Sequence, residues 1–173
     1  MENLEIKKFI KSLGVPKLLW DWSIDDKPDR ISQVLKEYGT DIADILRSGA
    51  SIFIKLEDDL YASRLAVYLL KCALREDFIK VAYVTPAQLA DEYANSWEGS
   101  EMYARLLEAD LVVVDQMTQS NFRDGMKISV FTGFITNRLF SEKSTVLVQS
   151  DDIIFPQRFQ KLTKENPNIV RIM

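Results

Sequence analysis

Histidine is absent from this 173-residue chain and cysteine occurs once, at Cys72. Those two scarcities exclude imidazole bases, Ser-His-Asp and Cys-His pairs, zinc sites built on His or Cys, and any disulfide within the chain. Carboxylate, hydroxyl, amine and backbone chemistry remain. With six Gly and five Pro there is no Gly/Ser linker, low-complexity stretch or internal repeat. No apolar run reaches the 18 residues of a membrane span, and no charged-then-apolar leader opens the chain. The expectation is a soluble protein of a reducing compartment, the cytoplasm.

What is present suits one globular core. Hydrophobic residues make up 47% of the chain and charged residues 28%. Surface scaling for this mass allows about 70% of the unfolded surface to be buried. The net charge of −4 is uneven, because residues 1–120 carry 14 basic and 21 acidic side chains and residues 121–173 carry 8 and 5. A basic C-terminal third is compatible with phosphate contact and equally with an ordinary solvated face.

Apolar spacing predicts two helices in residues 1–48, one over Leu4–Leu13 and one over Ile31–Leu46, broken by Gly14-Val15-Pro16. Trp20 and Trp22 lie between them, as packing residues or as anchors for a partner. From Gly49 onward strands alternate with helices. Ser51–Lys55 reads as a strand, Leu60–Leu74 as a helix apolar almost all round, and Lys80–Val84 as a second strand. Thr85-Pro86-Ala87-Gln88 is a capping box that starts a helix to about Tyr93. A helical turn over Ala104–Glu108 precedes the doubly apolar run Leu111–Val114, which Asp115 ends. A helix near Met126–Phe140, a strand at Thr145–Gln149, a short helix near Pro156–Leu162 and a strand at Ile169–Ile172 complete the pattern. This predicts an α/β fold: a five-stranded, mostly parallel sheet with helices on both faces, residues 49–173, preceded by a helical segment, residues 1–48. Ligands of such sheets gather beyond the carboxyl ends of the strands.

After the first strand, Leu56, Glu57, Asp58, Asp59, Leu60, Tyr61, Ala62 and Ser63 stand in the register of an eight-residue phosphate-binding loop. Such a loop needs glycines so that its amides can wrap phosphate, a Lys, and a Ser or Thr for Mg²⁺. Here the glycine positions are Leu56 and Tyr61, the Lys position is Ala62, and Ser63 alone conforms. Three carboxylates would stand beside the phosphates; each close like-charge pair costs about 4 kcal/mol at an effective dielectric of 20. The same carboxylates are also ordinary decoration of a helix N-terminus.

Residues 49–151 resemble the ATPase core of the DnaC/DnaI/IstB-like group, AAA+ proteins that load replicative helicases or assist transposition. Gly49–Ile54 resembles their first strand and Arg64-Leu65-Ala66 the opening of the helix that follows. Leu106–Asp115 resembles the Walker B segment, and Thr145–Asp151 the strand that ends in sensor 1. The chain departs from that pattern at the Walker A loop, at Gln116 in place of the acid after Asp115, and at Asp151 in place of the sensor Asn. Asp115 is then a vestigial metal-binding position or a plain turn residue. Arg158 falls near the family's intersubunit arginine.

The resemblance implies a degenerate, non-catalytic AAA+-like protein of DNA replication, a phage or mobile-element version included, with no cofactor. Its partner would be a replicative helicase, a loader or another initiation protein, met through the N-terminal segment with Trp20 and Trp22, and a monomer or dimer is expected over a hexamer. Two alternatives stand beside it. One is a single-stranded-DNA-binding module using Arg123, Lys127, Arg138, Lys143, Arg158, Lys161 and Lys164, with Phe122, Phe131 and Phe159 as stacking or core residues. The other is an ATPase that recruits Lys55 or Arg64 for the missing Lys.

Overall fold

The computed structural model describes residues 3–77, 79–97, 101–122, 125–150, 153, 155 and 157–173. Helix α1 (Asn3–Ser12) is followed by two short 3-10 turns, Lys17–Leu19 and Ile24–Asp26. The apolar pattern expected to make one helix over residues 31–46 makes two, α2 (Arg30–Thr40) and α3 (Ile42–Arg47). Asp41 separates them: at φ −100° and ψ 21° it leaves helical geometry while its N–H still donates to Glu37 O.

Strand β1 (Ser51–Lys55), α4 (Asp59–Ala73), β2 (Val81–Val84), α5 (Pro86–Ser96), α6 (Met102–Glu108), β3 (Leu111–Met117), α7 (Gly125–Phe140), β4 (Ser144–Gln149), α8 (Gln157–Glu165) and β5 (Ile169–Ile172) follow in turn. The strand order is β2-β3-β4-β1-β5. Every neighbouring pair is parallel. β1 crosses to the far edge at β2, the chain then returns strand by strand to β4, and β5 closes on the other flank of β1. Right-handed crossovers therefore put α4 on one face and the helices after β2 on the other.

Alternation along the strands divides the core accordingly. Leu111 and Val113 join α1 to α4 in one cluster with Ile52 and Ile54. Val112 and Val114 join Phe53 and the helices after β2 in the other. Ile6, Ile10, Leu19, Leu35, Ile42 and Leu46, all from the segment before β1, belong to the first cluster. That segment and α4 thus share one core.

Two local features differ from the sequence reading. β3 does not end at Asp115 but runs on to Met117. Its register shifts between Val114 and Met117, and Gln116 takes a left-handed conformation, φ 59°, which lets the strand absorb an extra residue and rejoin β4. The connection after β1 is three residues, not eight. Asp58 caps α4 by accepting the Tyr61 N–H, so helix forms five residues earlier than a phosphate loop allows.

Candidate functional site

The topological switch lies where β1 sits between β4 and β5, and the carboxyl ends of these strands open into a cleft of about 880 Å³. Lys27 and Lys55 line it against Asp29, Glu57, Asp58 and Asp59, leaving two negative charges in excess.

The residues in phosphate-loop register go three ways. Leu56, Glu57 and Asp58 make the connection from β1 to α4. Asp59 and Leu60 form the exposed first turn of α4, and Tyr61, Ala62 and Ser63 lie buried inside that helix. The Asp58 carboxylate accepts from Tyr61 N at 2.9 Å, so an amide that could meet an anion at this helix end is already taken. Tyr61 stands where the sequence register places a glycine. Its hydroxyl donates to Asp29 at 2.8 Å and lies 2.7 Å from Ser32 Oγ. Lys27 Nζ lies 3.7 Å from the centre of the Tyr61 ring and 3.8 Å from Asp58 Oδ2. Burial, partly opposed by the Ser32 hydroxyl and assisted by Asp29, raises the Tyr61 phenol. Burial also pushes the Asp29 carboxyl up, but the Ser32 N–H and the Tyr61 hydroxyl outweigh it and hold it below its ordinary value.

Asp115 is fully buried in β3. Its Oδ1 accepts from Ser63 Oγ at 2.8 Å and from Gln116 N at 2.7 Å, and its Oδ2 accepts from Tyr83 OH at 2.6 Å. Burial, followed by this carboxylate, raises the Tyr83 phenol, so it keeps the proton that it donates to Asp115. Both oxygens of Asp115 are thus held by groups of the chain itself. A magnesium triphosphate does not fit these residues: the Ser63 hydroxyl faces Asp115, and the connection after β1 offers carboxylates where phosphate needs amides. Among the described residues no cluster of three or more acidic or Cys side chains is placed to hold a metal.

Sequence reasoning missed Tyr83 and Asp29, whose partners stand 32 residues away in each case. Lys55 lines the cleft, and Arg64 does not. Arg123 and Asp151 lie outside the described residues, as does the side chain of Arg158.

The proposed nucleic-acid set requires one correction. Arg138 is fully buried and donates to the carbonyls of Leu106, Leu107, Ala109 and Ser144 and to Thr145 Oγ1. Burial lowers it to about 10, still cationic at neutral pH. Five acceptors converge on one planar guanidinium that is itself buried, out of reach of a phosphate. Phe122, Phe131 and Phe159 are buried in the second cluster, with ring centres 5.0 and 5.2 Å apart along the chain of contacts. Lys143 pairs with Asp110 at 2.8 Å and Lys161 with Glu165 at 3.8 Å, while Lys127 is half-buried and Lys164 exposed. Trp20 and Trp22 are half-buried against the first cluster. Trp20 Nε1 donates to Val15 O at 2.7 Å, and Trp22 meets Tyr61 edge-on at 6.0 Å.

No helix among the described residues is long and apolar enough to cross a membrane. No family model matches the sequence, and neither does any curated protein. Solved structures do match in three dimensions. The replication initiator DnaA bound to AMPPCP and single-stranded DNA superposes with a TM-score of 0.66 at 15% identity, over 87% of this chain and 49% of the other. A DNA replication initiation factor gives 0.63 at 16% over 89% and 48%. AMPPCP-bound DnaA from Aquifex aeolicus gives 0.60 at 12% over 88% and 50%. The chain spans about half the length of these proteins. At such identities the likeness is one of architecture: the chain shares the parallel α/β fold of these proteins over most of its length.

Proposed function

We propose that this chain is a non-catalytic AAA+-like protein of DNA replication, a pseudo-ATPase that acts by binding a helicase, a loader or another initiation partner. One observation carries the loss of nucleotide chemistry: Asp58 caps α4 three residues after β1, so helix and carboxylate occupy the place of a phosphate-wrapping loop. The Ser63–Asp115–Tyr83 network supports the same reading. The fold shared with replication initiators supports the replication setting, and the Trp20/Trp22 segment is the assigned partner contact. Without nucleotide at subunit boundaries, a monomer or dimer is the working state.

Titration with a fluorescent ATP analogue and Mg²⁺ tests it. A flat signal is expected, and saturable micromolar binding would overturn the proposal and revive the ATPase reading in which Lys55 replaces the missing Lys. Partner identity is read by capture from the native cell and mass spectrometry, with a replication protein as the expected prey.

A second reading, single-stranded DNA binding, draws on the basic C-terminal third and on the neighbour solved with single-stranded DNA. It proceeds without Arg138. Anisotropy with a labelled oligonucleotide should then show affinity that falls steeply with salt; undetectable binding at low salt removes this reading.

A further inference from the structure

The second half of α4 carries a different site. From Asp58 to Lys71 the helix rises about 20 Å, and there a cleft of about 700 Å³ opens between α4, α1, α2 and the 3-10 turns. Ile6, Ile10, Ile24, Trp20 and Tyr68 give it apolar walls. Four cations line it, Lys7, Lys36, Lys71 and Arg75, against two carboxylates, Asp21 and Asp25. Both carboxylates are already engaged: Asp21 accepts from Lys7 Nζ at 2.6 Å, and Asp25 pairs with Lys36. The charge left over is that of Lys71, in the last turn of α4, and of Arg75, in the turn just past the helix end.

Lys71 is half-buried. Its ammonium donates to the Trp20 carbonyl at 2.7 Å and to the Trp22 carbonyl at 3.1 Å. An ammonium has three N–H donors, so one is left, and the two carbonyls soften its charge without neutralising it. Desolvation lowers its pKa, with Asp21 the main opposing influence, so an incoming anion would relieve a real electrostatic cost. Arg75 is exposed and points no carboxylate-bound fork elsewhere in the described structure. The whole chain is acidic at −4, which makes a cleft with two excess positive charges a local exception.

We propose that this cleft binds a small organic anion, an apolar body bearing a carboxylate, with the body against Trp20 and Tyr68 and the charge on Lys71 and Arg75. A volume in the range of small-molecule sites and convergent charged groups beside the aromatic faces of Trp20 and Tyr68 are features such sites share. A cationic ligand is disfavoured because both acids at the cleft are spent on lysines. The ligand would bridge α4 to the turns that carry Trp20 and Trp22, and so would tighten the segment before β1 on the sheet domain.

The test is calorimetric titration of the full chain with 2-naphthoate, and with 2-naphthamide as an uncharged body of the same shape. One-to-one binding of the naphthoate is expected, weakened about tenfold or more for the amide, because a hydrogen bond to a charged group is worth that much. Lys71→Met should weaken naphthoate by a similar factor and leave the amide unchanged. Arg75→Gln, at an exposed position where folding is not at issue, should weaken naphthoate several-fold. Equal affinity for acid and amide would overturn the proposal, as would unaltered naphthoate binding by Arg75→Gln together with a folded Lys71→Met, or no binding of naphthoate at millimolar concentration.

Discussion

Ser63 Oγ donates to Asp115 Oδ1 at 2.8 Å across the buried junction of α4 and β3. The hydroxyl and the carboxylate that sequence register aligns with a metal-nucleotide site are therefore bonded to each other. If that bond is structural, Ser63→Ala should cost about 1 kcal/mol. Asp115→Ala, which strands three donors, should cost about 3 kcal/mol or more. Urea unfolding measures both. A neutral Asp115→Ala would mean that the carboxylate is kept for something other than holding β3 to α4 and β2.

Arg138 ties α7 to the end of α6 and to β4 through one guanidinium. Arg138→Met should destabilise the fold by about 3 kcal/mol or more, since several buried carbonyls lose their donor at once. Arg138→Lys should recover only part of the loss, because an ammonium cannot match the fork. Single-stranded DNA affinity of any folded variant should equal that of the parent; a specific loss of DNA binding at full stability would contradict the buried placement.

Gly49 adopts φ +68°, and a Cβ there would stand 2.7 Å from the Glu142 carbonyl oxygen. Both the left-handed backbone and the rigid neighbour oppose a side chain. Gly49→Ala is expected to cost about 1 kcal/mol at the least, read as a lowered melting temperature. Gly14, also left-handed at φ +78° but with nothing within 4 Å of its Cβ position, should lose less on the same substitution.

Asp29 caps α2 by accepting from Ser32 N at 2.7 Å, and it receives the Tyr61 hydroxyl. Burial raises its carboxyl, but these donors win and its folded value lies below the ordinary 3.8. The folded state therefore binds this proton less readily than the unfolded chain does. Its contribution to stability is fully present above pH 3.8 and is lost as pH falls through the lowered folded value. Urea midpoints of the parent and Asp29→Asn should differ by a constant amount near neutrality and converge in strong acid. A difference unchanged down to the acid limit would exclude Asp29 as a linked group.

Local signals were readable wherever the deciding atoms lie close in sequence. Thr85 and Gln88 form their reciprocal cap as spelled, and the doubly apolar run Leu111–Val114 is buried on both faces. Ser51–Lys55 and Ile169–Ile172 become strands over the residues expected. The extra residue at Gln116 was not readable, because a bulge depends on the register of β4 beside it and leaves no local mark.

Residue types, their periodicity and the absence of histidine and of loop glycines were enough to set the α/β class and to remove most catalytic chemistries. Tertiary structure alone decided what the polar residues do. Arg138 was drawn into the core because carbonyls from about thirty residues away converge on it. Tyr61 was turned from a loop position into a buried helical one, where Asp29 and Ser32 satisfy its hydroxyl. A polar side chain in water carries no instruction about where it will go. Its place follows from which distant donors and acceptors the folded backbone brings within hydrogen-bonding distance, since burial without them costs more than the fold can spare.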